Sequence, residues 1–187
     1  LLQKYGGLYI DADAIVFKDL TYYFDLIQTK GFAGVRRSSE GKDHMSVNFY
    51  GSERNGLVIN EYVANIKKLL EAKSEFAYND LGGQLLTSVY LAHSESATII
   101  EEKEVQPVTF EHARSVFPST DIELSSHITP EHKVMMLFNG PFHNELKDLN
   151  IEQLYYSDSF IGKGFRMALP EDAFQDFFRS YNSSEEL

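Results

Sequence analysis

The sequence predicts an α/β fold, and three observations predict it. Short apolar runs of strand length, Leu8 to Ile10, Phe32 to Val35 and Val134 to Phe138, are spread along the chain. Apolar residues recur at helical spacing from Leu57 to Lys73, from Leu85 to Tyr90 and from Pro170 to Tyr181. A 43% hydrophobic fraction with 14 Phe and 11 Tyr is that of a folded chain, and 187 residues suit one domain, 1–187, with a sizeable core. Strands interleaved with amphipathic helices are what a sheet with helices packed on it requires.

The elements follow in order. Leu1 to Tyr5 reads as the last turn of a helix that Gly6 ends, and Leu8 to Ile10 as the strand delivering Asp11 and Asp13. Phe32 to Val35 is a second strand. Arg36 to Asp43 is polar throughout and reads as a solvated loop, with a diphosphate as the alternative partner for Arg36 and Arg37. Ser46 to Ser52 alternates weakly and reads as a strand ending at Gly51. Leu57, Val58, Tyr62, Val63, Ile66, Leu69 and Leu70 form one face of a scaffold helix, and Gly82-Gly83 opens another whose core positions are Leu85, Leu86, Val89 and Tyr90. Short extended pieces are expected at Val105 to Phe110 and Ser115 to Pro118, then a polar loop from Ser119 to Glu131 and a buried strand from Val134 to Gly140. Ile151 to Tyr156 reads as a short helix and Ile161 to Arg166 as a loop with two cations. A last helix from Pro170 to Tyr181 is expected to turn Phe174, Phe177, Phe178 and Tyr181 inward.

The stretch with chemistry in it is Tyr5-Gly6-Gly7-Leu8-Tyr9-Ile10-Asp11-Ala12-Asp13. In an extended chain, residues two apart project to the same side, so Asp11 and Asp13 would share one side of a strand end. Two carboxylates there repel and resist desolvation unless a positive charge lies between them. Mn²⁺ or Mg²⁺ answers that need, binding one or two carboxylates together with substrate phosphates. The two glycines point to a close backbone or ligand approach, or to positive φ. An EF-hand loop does not fit, because Ile15 stands where a third oxygen ligand belongs.

This stretch, continued by Val16 and Leu20, resembles the D-x-D region of GT-A glycosyltransferases. It is most similar to the sugar-binding-region family that holds yeast initiating mannosyltransferases, bacterial capsular polysaccharide transferases and α-1,4-galactosyltransferase-like enzymes. The similarity continues more weakly to about residue 140. It implies a GT-A-like (Rossmann-like) mixed sheet flanked by helices. It also implies that the family's nucleotide-binding half belongs before Leu1, so that the sequence would be the C-terminal portion of such a fold. The implied activity is metal-dependent transfer of a sugar from a nucleotide-sugar (UDP- or GDP-sugar) to a hydroxyl of a glycan or lipid acceptor, with retention of anomeric configuration. Asp13 would bind Mn²⁺ directly; Asp11 would reach ribose or sugar hydroxyls and the metal, in part through water.

Other residues join the site through the same resemblance. Tyr5, Gly6 and Gly7 belong to the signature. Asn48 falls where the family carries an asparagine beside the D-x-D strand, to touch sugar or orient an aspartate; bonding to backbone is the alternative. Gly83, Leu86 and Thr87 match the family's G-P-x-L-x-T segment with Gln84 in place of proline, and a glycine turn opening a helix offers N–H groups to an anion or a sugar hydroxyl. Asn139 is the one match to the H-x-W-N strand end of the galactosyltransferase-like branch. The histidine and tryptophan of that motif are absent, and His143, or Asn144 beside it, is the substitute metal ligand.

Two other function classes meet the same residues. A haloacid-dehalogenase-like phosphatase would use Asp11 as nucleophile and Asp13 as acid/base, but it needs a later paired-acid motif that the sequence lacks and gives Gly6-Gly7 no task. A non-catalytic sugar-nucleotide or glycan binder is the other. Composition sets further bounds. A net charge of −11 disfavours a general nucleic-acid binder, and the lack of cysteine excludes disulfides and thiolate metal sites. No run of about 18 apolar residues occurs, as a membrane-spanning helix requires, and no stretch has the pattern of a secretory leader. Asn182-Ser183-Ser184 fits the glycosylation sequon, which matters only in a secreted chain, and the compartment is left open.

Overall fold

The computed structural model describes residues 1–39, 42–72, 74–77, 79–138 and 150–184. In chain order its elements are α1 (Leu2–Tyr5), β1 (Gly7–Ile10), β2 (Ala14–Val16), α2 (Thr21–Lys30), β3 (Phe32–Ser39), β4 (Lys42–Ser52), α3 (Leu57–Ala72), α4 (Gly83–Ala92), β5 (Thr98–Glu101), α5 (Glu102–Val105), α6 (Phe110–Val116), β6 (Val134–Met136), α7 (Ile151–Tyr156), α8 (Phe160–Ala168) and α9 (Glu171–Ser184). The chain is a mixed α/β protein divided into two compact units. Leu1–Ala12 with Asp19–Val105 forms the first, and Asp13–Lys18 with Gln106–Leu187 the second.

The first unit is a four-stranded mixed sheet in the order β1-β4-β3-β5, with β4 antiparallel to both neighbours and β3 parallel to β5. Helices flank it because its strands are apolar on both sides. Tyr23 of α2 meets Phe49 edge-on at 4.8 Å, and Ile27 lies over Gly51, where any Cβ would meet it at 2.2 Å. The neighbouring strand positions carry Phe32, Met45 and Tyr50 into a cluster with Val58, Ile59 and Tyr62 of α3 and Leu86 and Val89 of α4. Each such buried side chain contributes about 1.5–3 kcal/mol. In α3, Val58, Ile59 and Tyr62 are buried, whereas Leu57 and Leu70 at the ends of the expected apolar face are half exposed.

The described residues of the stretch from Arg36 to Asp43 are strand, not loop, and Glu40 and Gly41 lie outside them. β3 runs on to Ser39 and β4 begins at Lys42, with Arg36 opposite Met45 and Arg37 opposite His44. The charges that argued for a loop are neutralised from a distant part of the chain, Arg36 by Glu101 at 2.9 Å and Arg37 by Glu102 at 3.0 Å.

In the second unit β2 and β6 pair antiparallel, Ile15 opposite Met135, and the Leu137 amide extends the ladder to the Asp13 carbonyl at 2.8 Å. Ile15, Met135, Val116, Phe117, Phe160 and Ile161 lead its core. Three expectations need correction here. Neither 105–110 nor 115–118 forms a strand: residues 106–109 link α5, which ends at Val105, to α6, which runs from Phe110 to Val116 because Ala113 and Val116 recur at helical spacing and are buried. Residues 161–166 belong to α8: the Ser159 hydroxyl accepts the Gly162 amide at 3.1 Å as an N-cap, and the two glycines admit close neighbours. In α9, Phe174 is buried and stacks on Tyr155 at 3.8 Å and Phe178 is half-buried against Phe174 at 5.8 Å, but Phe177 is exposed, and the Tyr181 side chain lies outside the described ones.

Candidate functional site

The site is built on the end of β1. Gly6 and Gly7 both adopt positive φ, 71° and 115°, and a Cβ on Gly6 would meet the Arg54 amide at 2.8 Å. The close approach foreseen at these glycines is therefore the chain's own backbone turning out of α1 into β1. Beyond the turn, Tyr9 stands opposite Tyr50 and Ile10 opposite Phe49. The Asp11 amide donates to the Asn48 carbonyl at 2.9 Å, so β4 holds Asp11 one step past the strand.

Polar groups of Tyr9, Tyr50, Tyr62 and Asn48 follow from that position into the sheet. The Tyr9 hydroxyl donates to Asp11 Oδ1 at 2.7 Å, and the Tyr9 ring lies 5.3 Å from that of Tyr50. Burial, and after it the negative charge of Asp11, pushes the Tyr50 hydroxyl above its ordinary pKa. The Tyr62 hydroxyl donates to the Leu81 carbonyl at 2.6 Å; burial first and Tyr50 second push it up to about 12. Asn48 is 8% exposed, and its Oδ1 accepts the Ser46 hydroxyl at 2.5 Å. Asp11 is half-buried, and among the described residues no cation pairs with it.

The glycine turn at Gly82-Gly83 reaches the same strand. Gly83 is buried, and a Cβ there would meet the Met45 carbonyl at 2.7 Å. Thr87, one turn into α4, accepts the Met45 amide at 2.8 Å and donates to the Gly83 carbonyl at 2.5 Å. The bond to Met45 falls where β3 and β4 lose register. Between the pairs Gly34–Tyr50 and Arg36–Met45, β3 has Val35 alone where β4 has Ser46, Val47, Asn48 and Phe49. The Asp11 amide and the glycine turn thus both meet β4 between Met45 and Asn48.

Tyr5 is 64% exposed with the Lys4 ammonium 4.8 Å above its ring, and Gln84 is exposed. Arg36 and Arg37 are held by their glutamates. Asn139, His143 and Asn144 lie outside the described residues.

The period-two argument for the aspartates does not hold. The chain bends at Ala12 and Asp13 between β1 and β2, so no continuous strand carries both carboxylates. The division between units falls between Ala12 and Asp13. Asp13 is half-buried within the second unit, where its carbonyl closes the β2–β6 ladder. Among the described residues no group of three or more His, Asp or Glu assembles as a ready cation site. The donor chemistry nevertheless fits a hard cation. Asp11 in the first unit and Asp13 in the second each carry carboxylate oxygen, the donor that Mg²⁺ or Mn²⁺ takes along with water and phosphate.

Tyr9, Tyr50 and Ser46 were not singled out from the sequence. Tyr9 was accessible to the strand period, standing two residues before Asp11 on the same side. Tyr50 and Ser46 required the β1–β4 register. No family model, curated protein or solved structure matches the chain.

Proposed function

We propose that the chain carries the donor-handling part of a metal-dependent glycosyltransferase, which moves a sugar from a nucleotide-sugar to a hydroxyl of a glycan or lipid acceptor with retention. The observation that carries the reading is the half-buried Asp11 carboxylate, fixed at a strand end by the Tyr9 hydroxyl and by the β4 ladder at Asn48. The Y-G-G-x-Y-x-D-x-D signature supports it, as does the convergence of the glycine turn on the same part of β4.

In the reaction the acceptor oxygen bonds to the anomeric carbon, the bond from that carbon to the diphosphate oxygen breaks, and its electron pair leaves with the diphosphate. The acceptor proton passes to solvent or to the leaving group. The resemblance makes Asp11 and Asp13 the residues that would hold Mn²⁺ or Mg²⁺, which when bound supplies positive charge to the departing diphosphate. Asp11 accepts donor hydroxyls with the oxygen that Tyr9 leaves open. Asn48, whose Oδ1 accepts the Ser46 hydroxyl, takes the place beside the donor sugar that the resemblance gives it. The α4 amino terminus at Gly83 and Gln84 presents backbone N–H groups.

The test is turnover of UDP- and GDP-sugars with Mn²⁺ by the unaltered chain and by Asp13→Ala. Loss of about a hundredfold or more in the variant is expected, the size of removing one group that stabilises developing charge. Equal turnover by the variant removes the assignment. Phosphate release from p-nitrophenyl phosphate that depends on Asp11 would assign a phosphatase instead, and donor binding without turnover a binding protein.

A further inference from the structure

We infer that Tyr9 is a positioning residue, whose hydroxyl holds the Asp11 carboxylate in one orientation to receive a divalent cation or a donor hydroxyl. The inference rests on the glycosyltransferase reading above and adds a residue to it.

The geometry is confined to the first unit. At 2.7 Å the Tyr9 hydroxyl makes a short, charge-assisted bond to Asp11 Oδ1. A bond between residues i and i+2 of one strand needs a long, rigid donor, and tyrosine is such a side chain. The ring is steadied in turn by Tyr50, 5.3 Å away and tilted by 40°, and Tyr50 leans on Phe32, fully buried, at 6.2 Å. A chain of aromatic contacts therefore leads from the core of the sheet to the carboxylate. Tyr9 itself is 42% exposed, more than core packing alone would explain. The bond occupies one carboxylate oxygen and leaves Oδ2 with no hydrogen bond among the described residues. That is how a ligating carboxylate is commonly prepared: one oxygen anchored by the protein and the other turned to the ion.

Tyr9→Phe keeps the ring and removes the hydroxyl. In the metal-free chain, three-bond couplings at Asp11 should report a single χ1 rotamer for the unaltered protein and an average for Tyr9→Phe, with the melting temperature unchanged. Mn²⁺ affinity, read by titration calorimetry or by the free-ion electron spin resonance signal, should fall about tenfold, the scale on which partners of metal ligands act. Asp11 couplings or Mn²⁺ affinity unmoved by Tyr9→Phe would overturn the inference and leave the glycosyltransferase reading standing. No Mn²⁺ binding by the unaltered chain, with or without nucleoside diphosphate, would overturn both.

Discussion

β4 and β6 each pair with a strand beside the Asp11–Asp13 bend, and they are built differently. β4 is long, buries the polar side chains of Ser46, Asn48 and Ser52 among apolar neighbours, and breaks register with β3. β6 has three residues, Val134, Met135 and Met136, all buried and all apolar. A buried polar group costs about 1–3 kcal/mol unless it is bonded, and in β4 the bonds are visible: Ser46 to Asn48, and Ser52 to the Gly31 carbonyl at 3.1 Å. β4 thus spends its length on placing polar groups, while β6 serves the core. The candidate site accordingly concentrates along the first strand.

Substitutions can break this contrast, beginning with the largest effect. Phe160→Ala, in the apolar core that β6 helps to build, should cost about 3–5 kcal/mol in urea unfolding, since the ring is fully buried beside Phe117 at 6.3 Å. A cost below about 1 kcal/mol would show that this core is loosely packed. The same glycine-to-alanine change should then act with opposite sign in the two units. Gly83→Ala drives a Cβ onto the Met45 carbonyl, a backbone atom that cannot swing aside, and should destabilise by about 1–3 kcal/mol. In Gly164→Ala the Cβ meets Ile15 and Met135 side chains at 3.4 Å within a helix, so the helix gains about 0.5–1 kcal/mol. Thermal melts of both variants check the pair, and a shared sign would contradict the packing described.

The smallest effect is confined to alkaline pH. The Tyr62 pKa is raised from 10.0 in the unfolded chain to about 12 in the folded one. The neutral hydroxyl is the form that the fold favours, so its contribution is complete below pH 10 and is lost as pH climbs toward about 12. Stability measured against pH should fall across that window, and less steeply in Tyr62→Phe. An identical slope in the variant would place the alkaline sensitivity elsewhere.

Much of this was legible in the sequence wherever the pattern is local. The Val58–Tyr62 face of α3, the glycine opening of α4 and the Leu8–Ile10 strand all follow from spacing within one element. What was not legible depends on partners far along the chain. Arg36 and Arg37 look like loop residues until Glu101 and Glu102, 65 residues on, neutralise them. α8 was hidden because Gly162 and Gly164 read as helix breakers, whereas here they let Ser157, Ile15 and Met135 come close. For the site, Asp11 and Asn48 were chosen by motif, but Tyr50 beside the carboxylate appears only once β1 is laid on β4. The bend at Ala12–Asp13 was missed because a period of two carries no mark of where a strand stops.

The loss of register opposite Val35 has a consequence for how the protein can change over generations. Elsewhere in a ladder, adding or deleting a residue turns every later side chain to the wrong face. Where four residues of one strand already stand against one of the other, the slack absorbs such an edit, and the hairpin beyond keeps its alignment. Ser46 and Val47, which pair with neither neighbouring strand, are therefore the part of the sheet that can be lengthened, shortened or rewritten without having to invent the scaffold again.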